Sequence, residues 1–141
     1  MYCSDETGSI VADIGSSMCK FGFGGEDVPR CVFPSVYGCV PQENNNLYVG
    51  QEAVDYRRDK MQICPTVSNG ELKNHQAYSK IMETAINYSL SSKQEDHPFL
   101  LIESPFSINK QREELLQLIM EEQRFPACYF AKAPTYIYYL F

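Results

Sequence analysis

The stretch Asp13-Ile14-Gly15-Ser16-Ser17-Met18-Cys19-Lys20 decides how this chain is read. The β-branched run Ser9 to Ile14 delivers a carboxylate and then meets glycine, as a strand does on entering a tight turn. Met18 to Phe23 has strand character again and carries a lysine, so the stretch reads as a hairpin. A Gly-Ser turn of this kind presents backbone N–H groups and hydroxyls that can cradle phosphate oxygens. Lys20 would add a point charge, and Asp13 could hold a metal ion through water. Taken alone, these residues suit an ordinary hairpin better than a phosphate site.

Downstream, Gly24-Gly25-Glu26-Asp27 is a turn, and Cys31-Val32-Phe33 is a short strand between Pro29 and Pro34. Pro41 to Asn46 is a polar loop with no apolar anchor, followed by a strand at Leu47-Tyr48-Val49 and a helical turn within 51–60. Asn69-Gly70 marks another turn. Tyr78, Ile81, Met82, Ala85 and Ile86 fall at helical spacing, and Phe99 to Ile102 is a continuous apolar run suited to a buried strand. Asn109 is placed to cap a helix whose apolar face is Leu115, Leu116, Ile119 and Met120. Pro126 ends that helix, and Ala127 to Ala131 reads as one more buried strand. This order predicts an α/β fold, a mixed sheet covered by helices.

The 141 residues are 44% hydrophobic and 21% charged, a globular balance with enough apolar material for a core. Twelve basic against eighteen acidic side chains leave a net charge of -6, which argues against a direct, sequence-independent grip on nucleic acid. No apolar run approaches the roughly 20 residues of a membrane span, and the polar, acidic N-terminus is unlike a signal peptide. Cysteines at 3, 19, 31, 39, 64 and 128 form no metal or redox spacing and are expected to be free thiols in a reducing compartment. The apolar end, Pro134 to Phe141, reads either as a cut chain or as an end covered by something outside this sequence.

Asp13 to Gly38 closely resembles the opening of actin and the actin-related proteins. Tyr48-Val49-Gly50-Gln51-Glu52-Ala53 resembles their second landmark and His97 to Pro105 their third. Lys110-Gln111-Arg112-Glu113 with Phe125-Pro126-Ala127 resembles the fourth, all in family order. The resemblance implies the N-terminal part of an actin/Hsp70-like nucleotide-binding fold. Residues 1–33 and 71–141 would begin the large subdomain 1, and 34–70 would be the small subdomain 2 insertion. It also implies phosphate-binding roles for Asp13, Gly15, Ser16, Ser17, Met18, Cys19 and Lys20. A longer form would hold ATP with Mg or Ca. The family's second phosphate loop matches nothing up to residue 141, so these residues alone are expected to hold no nucleotide.

Departures from conventional actin carry the functional expectation. The loop Cys39 to Leu47 is shorter and more polar than the filament-gripping loop of actin. Ser17 replaces a glycine and could obstruct backbone approach to a phosphate. Counting from Pro126-Ala127, Ala133 matches the glutamine that positions the hydrolytic water, and alanine has no group to orient water. Arg57-Arg58-Asp59-Lys60-Met61, Asn69-Gly70 and Lys132 resemble the actin-related protein 4 subfamily, actin-like subunits of chromatin complexes. The resemblance implies a nuclear, non-filamentous protein without ATP hydrolysis. It would pair with actin and take an amphipathic scaffold helix in an end cleft that Tyr139 lines. Arg57, Arg58 and Lys60 read as a solvated face rather than a nucleic-acid site. The alternative is a cytoskeletal actin or a dynactin-type relative that binds ATP and joins filaments.

Overall fold

In the computed structural model, which describes residues 8–43 and 46–133, the opening run forms β1 (Ile10–Ile14) and returns as β2 (Met18–Phe23). β2 pairs antiparallel with β3 (Cys31–Pro34). Two strands far along the chain, β9 (Phe99–Glu103) and β10 (Cys128–Lys132), complete a five-stranded sheet of order β10-β9-β1-β2-β3. β1, β9 and β10 run parallel, so the sheet is mixed, as the sequence predicts.

Register assigns the two faces. Ile10, Ala12 and Ile14 pair with Phe23, Phe21 and Cys19, and Ile10 also stands opposite Phe99. These side chains share one face and meet the helices in a single core with Ile81, Met82, Ile86, Leu115, Leu118 and Ile119. Phe99 stacks on Phe125 with ring centroids 4.4 Å apart. The first covering helix, α2 (His75–Glu83), is capped by the Asn74 side chain, which accepts from Ala77 N–H at 2.9 Å. A wider, π-type turn, Thr84–Ser89, extends it and keeps both Ala85 and Ile86 buried.

The second covering helix, α3 (Asn109–Gln117), corrects two expectations. Ile108 occupies the cap position and Asn109 is the first helical residue, with no side-chain cap bond. Leu115, Leu118 and Ile119, at i, i+3 and i+4, are buried while Leu116 and Met120 are exposed, and a wide turn at Leu118–Glu122 ends the helix. The strand predicted as buried at Ala127 to Ala131 is the edge strand β10, with Tyr129 exposed.

Between β3 and α2 the chain builds a small sheet of order β5-β4-β6 from β4 (Val36–Cys39), β5 (Leu47–Val49) and β6 (Gln62–Pro65). The helical turn expected within 51–60 is α1 (Gln51–Asp55). Met61 lies directly over Gly38, where a Cβ would fall 2.7 Å from its sulfur. A two-residue hairpin joins β7 (Val67–Ser68) and β8 (Glu71–Leu72) through Asn69 (φ 52) and Gly70 (φ 76), the left-handed pair a tight turn requires. Among the described residues, no helix is long and apolar enough to cross a membrane.

Candidate functional site

The β1–β2 turn opens onto a cavity of about 230 Å³ lined by Asp13, Gly15, Ser16, Gly70, Ser104 and Ala133, among others. Four segments distant in sequence thus converge: the first hairpin, the Asn69-Gly70 hairpin, and the ends of β9 and β10. Gly15 N–H is occupied by the Met18 carbonyl at 3.1 Å, and the Ser17 carbonyl accepts from Ser35 N–H at 2.9 Å. Ser16 and Ser17 are exposed, and among the described residues their N–H groups bond to nothing. Ser17 takes no left-handed backbone, so its Cβ fits the turn without strain.

The seven residues of the implied phosphate site do not all face this cavity. Asp13 and Lys20 are cross-strand partners on one face of the sheet, with Asp13 half-buried and Lys20 exposed. Cys19 alternates to the other face and is buried in the core, with its sulfur 2.9 Å from Ser35 Oγ. Burial pushes its thiol up to about 12, so it stays neutral and offers phosphate nothing. Met18 contributes its carbonyl to the turn and leaves its side chain partly exposed. Ala133, immediately after β10, does reach the cavity wall beside Asp13, Gly15 and Ser16. Tyr139 lies outside the described residues.

The sequence reading missed the cavity's far wall. Glu103 is buried at the end of β9 and is held by Arg112, which donates from Nε at 3.2 Å and again from Nη2. The Arg112 guanidinium also stands over the Phe130 ring, 5.3 Å from its centroid. Gln111 donates to the Gly70 carbonyl at 2.8 Å and accepts from Leu72 N–H at 3.4 Å, tying the second hairpin to α3. Ser107 Oγ is buried there without a partner among the described residues. Gln111 and Arg112 stood within a family landmark, but nothing in their spacing foretold these bonds.

The cavity is smaller than the roughly 300–1,000 Å³ usual for a whole small ligand. Its size, its turn N–H groups and a carboxylate, Asp13, that is not paired with Arg112 as Glu103 is, would suit the phosphate end of a nucleotide. Asp13 is the residue that would meet a phosphate-bound cation through water. Among the described residues no cluster of three His, Cys, Asp or Glu could hold a metal ion unaided.

In the small sheet, Arg58 is a structural residue. Its guanidinium lies 3.7 Å from the Tyr48 ring centroid and 4.7 Å from that of Tyr56, and it donates to the Ala53 and Tyr56 carbonyls. Arg57 and Lys60 remain exposed.

Comparison with known proteins accounts for this architecture. The actin family profile matches residues 4–140. Actin-related protein 4 of Arabidopsis thaliana is 35% identical over 96% of this chain and 37% of its own length. Actin-related protein 4 of Oryza sativa subsp. indica is 30% identical over 94% of this chain, again 37% of its own length. The chain therefore spans little more than a third of these relatives. Actin-related protein 4A of Arabidopsis thaliana is 32% identical over 81% of this chain and 94% of its own length. With a mixed sheet under two helices, a hairpin aimed at a phosphate-sized cavity and a profile match over nearly its whole length, this chain belongs to the actin family.

Proposed function

We propose that this protein is a nuclear, non-filamentous architectural subunit of a chromatin-remodelling or histone-acetyltransferase complex. It pairs with actin and binds an amphipathic helix of the complex's scaffold. The carrying observation is Ala133: it lines the cavity with Asp13, Gly15 and Ser16, and by its resemblance to actin it holds the position of the glutamine that orients the hydrolytic water. A methyl group there supports retention of a phosphate-sized cavity without turnover. The likeness to proteins named actin-related protein 4 supports the subfamily, and from it the nucleus and the chromatin partners. The polar loop Cys39 to Leu47, lacking an apolar plug, supports the absence of filament contact.

One purification of the natural protein from fractionated cells tests the reading. It should come from nuclei with actin and chromatin-complex subunits, and should release no phosphate from ATP at an actin-like rate. Tyr139→Ala should weaken scaffold capture, as loss of an aromatic interface anchor costs about 2 kcal/mol or more. Recovery with dynactin or cytoplasmic filaments, without any chromatin subunit, would overturn the proposal in favour of a cytoskeletal relative.

A further inference from the structure

We propose that Cys39 and Cys64 form an oxidant-modifiable dithiol, which a peroxide converts to a disulfide stapling β4 to β6. Tyr37 is paired with Cys64 and Cys39 with Gln62, so the two cysteines stand at diagonal positions of an antiparallel pair. Alternation along each strand puts both thiols on one face of the small sheet. Diagonal Cα atoms lie about 7–8 Å apart with side chains nearer, and the register leaves no residue between these two thiols on their shared face. A disulfide spans Cα distances up to about 6.8 Å, so closure needs only a small local shift. Cys39 is the last residue of β4, and exposed Pro41, Gln42 and Glu43 follow closely, so the shift falls at a strand end.

Access separates this pair from Cys19 and Cys31, and pairing separates it from Cys128. Cys39 and Cys64 are half-buried, whereas Cys19 and Cys31 are buried. Cys19 and Cys31 are also diagonal across β2 and β3, yet the Cys19 sulfur is held by Ser35 Oγ and shielded from a solvent oxidant. Cys128 is half-buried on the edge strand of the other sheet.

The chemistry balances with the peroxide as the oxidant. Cys39 ends β4, where the chain is free to shift onto a neighbouring sulfur, so Cys64 is assigned as the attacking group and Cys39 as the resolving one. The Cys64 thiolate attacks one peroxide oxygen, the O–O bond breaks, and the departing oxygen leaves as water after protonation. Cys64 is then a sulfenic acid. The Cys39 thiolate attacks that sulfur, the S–S bond forms, and the sulfenic oxygen leaves as a second water. Two thiols lose two hydrogens and two electrons, and hydrogen peroxide becomes two waters.

The test treats the 141-residue chain with hydrogen peroxide at pH 8 and follows intact mass and peptide maps. A loss of two hydrogens is expected, with the Cys39 and Cys64 peptides joined and then freed by a thiol reductant. Cys39→Ser should accumulate a sulfenic acid at Cys64 that dimedone traps, and Cys64→Ser should yield neither product. Peptide mapping of the unmodified sequence carries the result if either variant misfolds. A Cys19–Cys31 linkage, intermolecular dimers, or oxygen addition without hydrogen loss would each overturn the proposal.

Discussion

Arg112→Met strands a buried carboxylate in the wall of the cavity at the β1–β2 turn, and its cost can be worked from the structure. Glu103 has a side chain 5% exposed, and Arg112, its partner, is 42% exposed. Breaking a fully buried pair costs about 3–5 kcal/mol, because the remaining charge has neither water nor a counter-charge. Arg112 is more than a third exposed, so solvent already screens its share of the attraction. What survives is chiefly the isolation of Glu103, about 2–3 kcal/mol with the lost contact over Phe130 included. For a chain of this size that is a drop of about 10 °C in Tm. Urea unfolding followed by circular dichroism at pH 7 reads the loss directly. The double variant Glu103→Gln/Arg112→Met should recover more than half of it, because no charge is then left buried. A single variant within about 0.5 kcal/mol of the parent would refute the reasoning, as would a double variant equal to the sum of the two singles.

Two further outcomes follow from the core. Burial raises Cys19 from 9.0 to about 12 and Cys128 to about 11. A raised thiol pKa means the folded state favours the neutral form. This stabilisation is complete below pH 9 and is lost as pH climbs through the folded values; thermal melts should be flat up to pH 9 and fall beyond it. Cys19→Ala should flatten the decline, and an unchanged slope would remove Cys19 as its cause. At the helix starts, Asn74→Ala should cost about 1 kcal/mol in urea unfolding because it removes a real cap, whereas Asn109→Ala should cost less than half of that.

What was legible in the sequence was what local chemistry determines. The β1–β2 hairpin, the inward face of α2 and the tight turn at Asn69-Gly70 each depend on residues close in sequence, and each is where the pattern puts it. β4 and β6 left no such signal. Val36 to Cys39 contains a glycine, Gln62 to Pro65 ends on a proline, and β6 is mostly exposed, so no alternation marks it. Their pairing depends on Met61 fitting over Gly38 and on Arg58 between two tyrosines, contacts made only once the chain has folded back. In α3 the buried residues Leu115, Leu118 and Ile119 keep the 3.6-residue period; the expected face went wrong by taking Leu116 and Met120 and omitting Leu118. The edge position of β10 is a property of the whole sheet.

The candidate site divides along the same line, with one difference. A period of two already separates the hairpin's side chains: if Asp13 and Lys20 share a face, Cys19 must point to the other. The assignment of all seven residues to a phosphate site treated a backbone turn as though every side chain contributed. Ala133 shows the converse. Alanine carries no chemical signal, and only its count from Pro126-Ala127 singled it out. Yet β10 pairs in parallel with β9, in register from Cys128↔Phe99 to Lys132↔Glu103, and delivers the next residue to the cavity that Asp13 reaches from β1. The parallel register of β1, β9 and β10 brings the three strand ends to one side of the sheet. At such an end a side chain acts by what it offers to the cavity. Asp13 offers a carboxylate, Glu103 a carboxylate already taken by Arg112, and Ala133 only a methyl group.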